Sequence, residues 1–390
     1  MNYNEEAIIR HTKWHGKIEI KSRVKLENKD DLSIAYTPGV AEPCRHINKN
    51  IDDVFKYTRK GNLVAIVTDG TAVLGLGDIG PEAGMPVMEG KAILFKEFGK
   101  VDAFPICLAT KNVDEIVETI CNIAPTFGGI NLEDISAPRC FEIEERLIEK
   151  LDIPVFHDDQ HGTAIVTLAA LLNANKITGR KFENLKIVMN GAGAAGIAIT
   201  KLLQLVGATN VIIVDSKGIV SRSRDNLNET KQKMLDSTNP ENLTGGLEDA
   251  VRDADIFIGV SLAGLLSQEM VRSMAKDPII LAMANPDPEI MPHEAKAAGA
   301  RIVGTGRSDF PNQVNNVLGF PGIFRGALDV RARKIDNSMK IAAAKALANS
   351  VTDEQLCEEF IIPNPLDKSV AMNVAAAVAD AAVKAGLARA

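Results

Sequence analysis

The amino-acid sequence predicts an α/β protein made of two units, each with a parallel sheet and crossover helices. From residue 62, short apolar segments alternate with segments of helical periodicity, and a second series of the same kind starts near residue 184. Strands that alternate with helices of about ten to fifteen residues indicate a parallel sheet, because parallel neighbours need a crossover connection. The last part of the chain, about sixty residues, is rich in alanine and has the pattern of amphipathic helices.

Four apolar segments of the first unit are predicted strands, and three segments between them are predicted helices. The strands are 63–69, 101–108, 128–135 and 153–159, and the helices are 85–99, 113–124 and 137–151. Acidic residues stand at the ends of three of these strands: Asp69, then Glu133 and Asp134, then Asp158 and Asp159. Ligands of open α/β sheets bind beyond the carboxyl ends of the strands, so we expect these carboxylates to converge there.

The second unit begins with a glycine-rich turn between a strand and a helix. Its predicted strands are 184–190, 210–215, 255–261, 278–286 and 300–306. Gly191, Gly193 and Gly196 form G-x-G-x-x-G, which allows a tight turn, close approach of a pyrophosphate and close helix–strand packing. Asp215 ends the next strand, where a carboxylate can bind a ribose 2′-hydroxyl. This context predicts a Rossmann-type domain for a nicotinamide dinucleotide, with the pyrophosphate at Gly191, Ala192, Gly193, Ala194, Ala195 and Gly196.

The choice between NAD and NADP stays open in the sequence. Asp215 favours NAD, because its carboxylate binds a ribose hydroxyl and repels a 2′-phosphate. The residues after it that could receive a 2′-phosphate are Ser216, Lys217, Arg222 and Arg224. Ser261 and Asn285 follow later strands, where they are either contacts near the nicotinamide ribose or ordinary turn residues.

The segment 156–163, FHDDQHGT, allows three readings. His157 and His161 are four residues apart, but a zinc site of the H-E-x-x-H type needs both on one helical face. The sequence predicts an extended chain into His157 and a helix only from about Gly162, which disfavours zinc-peptidase chemistry. The second reading is a merely polar strand end.

The reading that we prefer joins Asp159 to Glu133 and Asp134. Three carboxylates without a nearby cysteine suit Mg²⁺ or Mn²⁺, hard cations that keep positions free for water and substrate. Asp158 would point away from its neighbour on an extended segment, so pairing with a lysine suits it better.

Composition and charge restrict the classes of partner. The chain has 390 residues, enough for about two or three domains, and its formal charge of −7 is spread along its length. Nucleic acid and anionic membrane surfaces require concentrated Lys and Arg, so neither is expected as a partner. Five cysteines without a C-x-x-C pair, no signal-peptide pattern and no apolar run of about 18 residues predict a soluble cytoplasmic protein without disulfides.

Seven segments of the chain occur in the order found in a known enzyme family. They are IAYTPGVA (34–41), VTDGTAVLGLGDIGPEAGMPVMEGKA (67–92), NLEDI (131–135), FHDDQHGTA (156–164), NGAGAAG (190–196), ANPDPE (284–289) and NNVLGFPG (315–322). With them the chain resembles malic enzymes of the short prokaryotic type over nearly its whole length. The resemblance implies oxidative decarboxylation of (S)-malate to pyruvate and CO₂, with reduction of NAD(P)⁺ and with Mg²⁺ or Mn²⁺ as the metal.

The resemblance also implies roles for individual residues and limits for the domains. Tyr36 matches the general acid and Lys91 the general base, with Asp158 as the acidic partner of the lysine. The implied metal ligands are Glu133, Asp134 and Asp159, and the implied substrate contacts are Tyr36, Lys91, Asn285, Asn315 and Asn316. Residues 1–160 would form the malate- and metal-binding catalytic domain, 161–316 the dinucleotide-binding domain, and 317–390 C-terminal helices that pack back on the catalytic domain.

Two departures from the larger family members affect these expectations. Those enzymes carry a substrate-binding arginine after the TDG segment, where this chain has Thr71 and Ala72, so a backbone N–H near Thr71 is the expected substitute. The shorter N-terminal region makes a homodimer the expected assembly and leaves open whether Tyr36 serves its own or the partner's site. For Lys91 to act as a base, its pKa must fall from the ordinary lysine value of about 10.4.

Three alternative functions fit parts of the sequence. A malolactic enzyme also resembles this family, uses NAD and Mn²⁺, and releases lactate without net formation of NAD(P)H. A sensor that binds a dinucleotide without catalysis would have no need of Tyr36, Lys91 and three carboxylates. An amino-acid dehydrogenase of similar architecture would need no metal, so a chelator would leave its activity intact.

Overall fold

Two sheets organise the chain in the computed structural model, which describes residues 3–73 and 75–390. The first sheet is parallel throughout, in the order β2-β1-β3-β4: β1 (Leu63–Thr68), β2 (Asp102–Cys107), β3 (Gly129–Leu132) and β4 (Val155–His157). The second sheet follows the order β10-β9-β8-β5-β6-β7: β5 (Lys186–Asn190), β6 (Asn210–Asp215), β7 (Gly218–Ile219), β8 (Ile256–Gly259), β9 (Ile279–Ala282) and β10 (Ile302–Thr305). Only β7 is antiparallel to its neighbour among these strands. The predicted α/β class is confirmed.

Helices connect the strands of both sheets and continue after the last strand. The first nine are α1 (Tyr3–Trp14), α2 (Lys29–Ala35), α3 (Ala41–Lys49), α4 (Val54–Tyr57), α5 (Pro81–Gly99), α6 (Val113–Ile123), α7 (Arg139–Lys150), α8 (Asp158–Thr178) and α9 (Ala194–Leu205). The others are α10 (Glu229–Met234), α11 (Leu247–Val251), α12 (Gln268–Ser273), α13 (Pro292–Ala297), α14 (Phe320–Asp329), α15 (Asn337–Asn349) and α16 (Lys368–Lys384).

The central strand of the first sheet shows why its sequence is an unbroken apolar run. Val64 and Ile66 belong to the hydrophobic cluster that includes residues of α5, whereas Ala65 and Val67 belong to the one formed with α6 and α7. All four side chains are fully buried, because helices cover both faces of the sheet. A strand buried on both sides cannot alternate apolar with polar residues.

Helix α8 begins earlier than the sequence analysis expected. The segment 158–161 was expected to be extended, but Asp158 is the first helical residue, directly after β4. Asp158 and Asp159 therefore occupy the first turn, where the helix dipole favours negative charge. Two thirds of α8, 14 of its 21 residues, are buried, because the helix packs against α9 and α15.

The C-terminal helices pack back on the first unit, as predicted. Phe320 and Phe324 of α14 pack against Phe95 of α5 in tilted and edge-to-face arrangements, with ring centroids 4.7 and 5.2 Å apart. Phe324 also meets Phe156 of β4 edge to face at 5.8 Å. These aromatic contacts join the end of the chain to the strand that precedes Asp158.

The N-terminal segment, residues 3–57, has no buried residue. Its exposed large apolar side chains are Tyr3, Ile8, Ile9, Trp14, Ile20, Val24, Leu26, Leu32, Ile34, Tyr36, Val40, Ile51 and Tyr57. Within the described part of the chain, no helix has the length and apolar character that a membrane span needs. The N-terminal segment is therefore an exposed apolar surface made of short amphipathic pieces.

Candidate active site

A buried lysine lies between two carboxylates at the edge of the first sheet. The Nζ atom of Lys91, on α5, is 2.6 Å from Oδ2 of Asp158 and 2.8 Å from Oε1 of Glu133. The lysine side chain is 7% exposed, and its ammonium also lies 4.3 Å from the centre of the Phe320 ring. The predicted pairing of Asp158 with a lysine is therefore present in the structure.

Three carboxylates next to this lysine can hold one cation. Ligand oxygens of Glu133, Asp134 and Asp159 all lie within 4.8 Å of one another. Asp134 has a left-handed backbone with φ of 53°, and its N–H donates to Oδ2 of Asp159 over 2.8 Å. Its own Oδ2 is buried without a hydrogen-bond donor. A left-handed backbone and a buried carboxylate oxygen without a donor both fit the role of a cation ligand for Asp134.

The protonation energetics of these carboxylates fit a divalent ion. Burial raises the pKa of Asp134 to about 9, and the charges of Asp159 and Glu133 add to the increase. Burial likewise raises the pKa of Glu133 to about 7 and that of Asp159 to about 6, although the charge of Lys91 opposes it. Clustered buried carboxylates resist ionisation, and a hard divalent cation removes that resistance.

The pKa of Lys91 is shifted in the direction opposite to the one expected from the sequence. Burial alone would lower it, but the charges of Asp158 and Glu133 outweigh burial and raise the pKa above the ordinary lysine value. The same environment raises the pKa of Asp158 to about 7, because that carboxylate is fully buried. Proton sharing between Lys91 and Asp158 therefore depends on how the negative charge around them is balanced.

Two further residues complete the surroundings of the lysine. Asn316 donates from Nδ2 to Oδ2 of Asp158 over 2.6 Å, so this predicted asparagine does reach the cluster. Asn131 donates to Oε2 of Glu133 over 2.9 Å from a fully buried position in β3. Asn131 and Phe320 were missed by sequence reasoning. The signal for Asn131 was a polar residue inside a buried strand, two positions before Glu133 and therefore on the same face.

The glycine-rich turn has the shape that a pyrophosphate needs. Gly191 has φ of +123°, and a Cβ on Gly196 would lie only 1.8 Å from the carbonyl oxygen of Gly191. A Cβ on Gly193 would instead meet no protein atom within 4 Å, so the space in front of it is open. Gly193 precedes α9, whose unpaired N–H groups face that space. The turn fits a dinucleotide, with Ala192, Ala194 and Ala195 as its other members.

Ser261 and Asn285 lie beyond the carboxyl ends of β8 and β9. Ser261 accepts from Nδ2 of Asn190 over 2.8 Å, and its N–H donates to Glu289. Asn285 is exposed, and a Cβ on Gly75 would lie 2.6 Å from its carbonyl oxygen. Asn285 therefore lies between the two units, next to the loop that follows β1.

Asn315 and Ser216 are not brought into the site by any contact. The side chain of Asn315 accepts from the N–H of Val317 and caps the turn before α14. Ser216 is exposed directly after Asp215. Tyr36 is 68% exposed in the N-terminal segment, and within residues 3–73 and 75–390 its hydroxyl makes no hydrogen bond with the chain. The structure does not unite Tyr36 with Lys91 in one chain.

The expected substitute for the missing arginine is wrong. The N–H groups of Thr71 and Ala72 both donate to the carbonyl oxygen of Asp134, over 3.1 and 2.9 Å. They hold the loop of Glu133 and Asp134 instead of a substrate carboxylate. Asp69, also expected among the converging carboxylates, pairs with Arg139 over 2.7 Å and lies outside the three-carboxylate group.

The two histidines of FHDDQHGT do not share a metal. His161 lies 2.8 Å from Oε2 of Glu144 through Nε2, and Nδ1 is 3.2 Å from Nζ of Lys340. His157 is fully buried, and burial lowers its pKa to about 4. Among the residues that the structure describes, the one group suited to a metal is the carboxylate trio. These contacts contradict the zinc hypothesis. The earlier argument against it, an extended chain up to Gly162, no longer applies because α8 begins at Asp158.

An open dinucleotide turn and a buried lysine–carboxylate cluster, on units joined by α8, define an NAD(P)-dependent oxidoreductase. Two family models match the chain: the malic enzyme N-terminal domain over residues 15–148, and the malic enzyme NAD binding domain over residues 160–383. The chain belongs to the malic enzyme family.

Individual relatives resemble the chain over its full length. The bifunctional malic/malolactic enzyme of Bacillus subtilis (strain 168) is 60% identical, covering 100% of this chain and 95% of the relative. The NAD-dependent malic enzyme of Geobacillus stearothermophilus is 56% identical, covering 100% of this chain and 81% of the relative. The crystal structure of malic enzyme from Pyrococcus horikoshii Ot3 matches with a TM-score of 0.94 at 50% identity, covering 98% of this chain and 92% of that one.

Proposed function

We propose that this protein catalyses the metal-dependent oxidative decarboxylation of (S)-malate to pyruvate and CO₂, with reduction of NAD(P)⁺. The observation that carries the proposal is Lys91, buried between Asp158 and Glu133 beside the group of carboxylates suited to a divalent cation. A base next to such a cation suits removal of a proton from a 2-hydroxy acid. Family membership supports malate as that acid.

The proposed metal is Mg²⁺ or Mn²⁺, held by Glu133, Asp134 and Asp159. When bound, such an ion polarises the oxygens of its ligands and offsets negative charge that develops on a substrate. The residues themselves do the rest: Asn131 fixes the rotamer of Glu133, and the N–H of Asp134 fixes the carboxylate of Asp159. Positioned carboxylates of this kind need little reorganisation when a substrate binds.

Lys91 takes the hydroxyl proton of malate in this proposal. It must first be neutral, and a divalent cation held by the neighbouring carboxylates would lower its pKa by offsetting the negative charge that raises it. Asp158, 2.6 Å away, would then receive the proton that Lys91 gives up. Asn316 donates to the same oxygen of Asp158 and orients it. The aromatic face of Phe320 lies over the ammonium and excludes water on that side. A dinucleotide bound at the glycine-rich turn would supply the acceptor for the substrate hydride, and Asn285, between the two units, would contact it there.

Tyr36 is proposed as the acid that protonates the substrate carbon after decarboxylation. Because its side chain is 68% exposed on the apolar N-terminal segment, we propose a homodimer in which that segment is covered and Tyr36 enters the partner's site. A mixture of Tyr36→Phe and Lys91→Met subunits tests this. Random reassociation gives half heterodimers, each with one intact site, so about a quarter of wild-type activity is expected to return. No recovery after verified exchange would place Tyr36 in its own subunit's site.

Malolactic activity is the second candidate, favoured by the 60% identity to a relative that is named for both reactions. The two reactions share the metal and the lysine but differ in the fate of the reduced dinucleotide. The test is an assay of malate with NAD⁺ or NADP⁺, with and without Mn²⁺, that follows NAD(P)H absorbance and separates pyruvate from lactate. Pyruvate formed in step with NAD(P)H supports the first function, and lactate without net NAD(P)H supports the second. If neither pyruvate nor lactate forms, both functions are refuted.

The domain limits and the location of the protein are also proposals. We propose a catalytic unit of residues 1–160 with 317–390, and a dinucleotide unit of residues 161–316. The two sheets support this division, although its first boundary falls inside α8. A reducing cytoplasm is proposed because the described cysteines are all free: Cys44, Cys107, Cys121, Cys140 and Cys357.

A further inference from the structure

A buried glutamate joins the loops that follow two neighbouring strands of the dinucleotide unit. Glu289 is fully buried, and its Oε1 accepts from the N–H of Ser261 over 3.0 Å. Its Oε2 accepts from the N–H of Ala284 over 3.1 Å. Ser261 follows β8 and Ala284 follows β9, which lie side by side in the sheet. One carboxylate therefore holds the two loops together at the edge where a ligand of such a sheet binds.

Further hydrogen bonds extend this connection to the glycine-rich turn. The carbonyl oxygen of Glu289 accepts from the N–H of Leu266 over 3.0 Å, so side chain and main chain together hold both ends of the loop 261–266. The Ser261 hydroxyl accepts from Nδ2 of Asn190 over 2.8 Å, and Asn190 is the last residue of β5, directly before that turn. The ends of β5, β8 and β9 are thus linked through Ser261 and Glu289.

The position of Glu289 requires a carboxylate, although a carboxylate is costly there. A Cβ on Gly259, the last residue of β8, would lie 2.3 Å from Cδ of Glu289, so the strand ends in a residue that leaves room for the acid. Burial raises the pKa of Glu289, and the N–H groups of Ser261 and Ala284 oppose that rise. Glutamine would turn its NH₂ group toward one of these two N–H groups. The site needs two acceptors, which an ionised carboxyl group supplies.

We propose that Glu289 is a positioning residue for the nicotinamide half of the dinucleotide, because it aligns Ser261 and Asn285, the polar side chains that follow β8 and β9. The proposal rests on the proposed function, since it concerns the cofactor of that same site. The pyrophosphate half depends instead on the glycine-rich turn, residues 191–196. Loss of one acceptor of Glu289 should therefore disturb binding of the nicotinamide half more than binding of the other half.

The test compares ligands that differ only in the nicotinamide half. Dissociation constants are measured by calorimetry, without malate, for NADH with ADP-ribose and for NADPH with 2′-phospho-ADP-ribose, and the tighter-binding pair is used. Glu289→Gln is compared with wild type and with Glu294→Gln. Glu294 is the matched control, because its carboxylate also accepts a backbone N–H, that of Met291 over 3.3 Å, but does so at the start of α13.

The expected result is a selective loss of affinity for the reduced dinucleotide. In Glu289→Gln, the dissociation constant of the ADP-ribose ligand divided by that of the dinucleotide should fall by at least about fivefold, the size of one lost hydrogen bond. In Glu294→Gln the same ratio should change by less than about twofold. Gly259→Ala is an independent second variant, since its new Cβ would displace the carboxylate of Glu289 without removing it. The ratio should fall in this variant too, which supplies the result if Glu289→Gln does not fold.

An unchanged ratio in a folded Glu289→Gln or Gly259→Ala protein would overturn the proposal, as would an equal fall in Glu294→Gln. A ratio that falls in Glu289→Gln, in a protein that binds the dinucleotide but does not turn over malate, would instead refute the proposed function and leave this inference standing.

Discussion

Replacement of Lys91 by methionine tests the central arrangement most directly. The Lys91 side chain is 7% exposed, and its ammonium is paired with Asp158, which is fully buried, and with Glu133, whose side chain is 4% exposed. Removal of one partner from a buried ion pair costs about 3–5 kcal/mol, because the remaining charges lose their compensation. Methionine preserves most of the volume and the contact with Phe320, so the loss comes mainly from charge.

The measurement combines denaturant unfolding with turnover of malate. Unfolding is followed at a pH about one unit above the pKa of about 7 that Glu133 and Asp158 have beside Lys91, where both carboxylates of the wild type are ionised. The double variant Lys91→Met with Asp158→Asn is expected to regain much of the stability, since the amide still accepts from Asn316 and carries no charge. Its activity should stay absent, which separates the catalytic role of the lysine from its structural one. NAD(P)⁺ binding should be unchanged in both variants.

Two results would refute this reasoning. A Lys91→Met enzyme that keeps more than about a tenth of wild-type kcat would lose less than ~1.4 kcal/mol of transition-state stabilisation, too little for a general base. A stability loss below about 1 kcal/mol would mean that the lysine is solvated instead of buried between two carboxylates. Either result removes the basis of the proposed function.

Three further outcomes are expected. Gly193→Ala should weaken NAD(P)⁺ binding by at least about tenfold with unchanged stability, because the new Cβ meets no protein atom within 4 Å and occupies the space in front of α9. Mn²⁺ binding near neutral pH should release about one proton, because the pKa of Asp134 is raised to about 9. Glu144→Gln should flatten the acid dependence of the unfolding free energy by about 3 kcal/mol, because neighbouring cations lower the pKa of Glu144 to about 2 against the effect of burial.

The first two of these outcomes have controls. Gly196→Ala places a Cβ 1.8 Å from a carbonyl oxygen and should lower stability, unlike Gly193→Ala. Proton release is measured by calorimetry in buffers of different ionisation enthalpy, and Asp134→Asn, whose amide tolerates the left-handed backbone, should abolish both release and binding. Asp114→Asn, on an exposed carboxylate, should change neither. Proton release by wild type that is absent near neutral pH would contradict the raised pKa.

The sign of the acid effect follows from the folded and unfolded pKa of Glu144. Burial raises this pKa, but His161, Lys340 and His157 lower it from the usual 4.5 to about 2. Between these two values the unfolded chain binds more protons than the folded one, so the unfolding free energy falls as pH falls through the window. The difference between wild type and Glu144→Gln should therefore be largest near neutral pH and shrink below about pH 4.5. A constant difference down to about pH 2 would contradict the lowered pKa.

Local sequence patterns were sufficient to predict the strands of both sheets and the carboxylates that follow them. Glu133, Asp134 and Asp159 could be grouped because parallel strands end at one edge, which is a property of topology. The start of α8 could not be predicted by apolar periodicity, because its first turn is polar and no Ser or Thr precedes Asp158. The acidic first turn was the available signal, since the helix dipole favours it.

Contacts between distant segments were beyond reach of the sequence. Lys231 meets Asp215 from sixteen positions away, through a loop and a separate helix, and no spacing rule connects them. The same holds for Phe320 over Lys91. Asp215 was therefore interpreted from its position alone. Its ion pairs with Arg224 and Lys231 are visible only in the folded structure. Electrostatic roles depend on neighbours, and neighbours are set by tertiary structure.

The two connections between the proposed units meet at Lys91. Asp158 opens α8, which leads from the first sheet to the second, and Asn316 lies just before α14, which returns. Their side chains are joined by a hydrogen bond of 2.6 Å, and the same Asp158 oxygen accepts from Lys91. Any rotation of one unit against the other must therefore bend or move these two connections. We therefore expect the charge balance of Lys91 to change with the relative position of the two units, because both connections contact Asp158 or contain it.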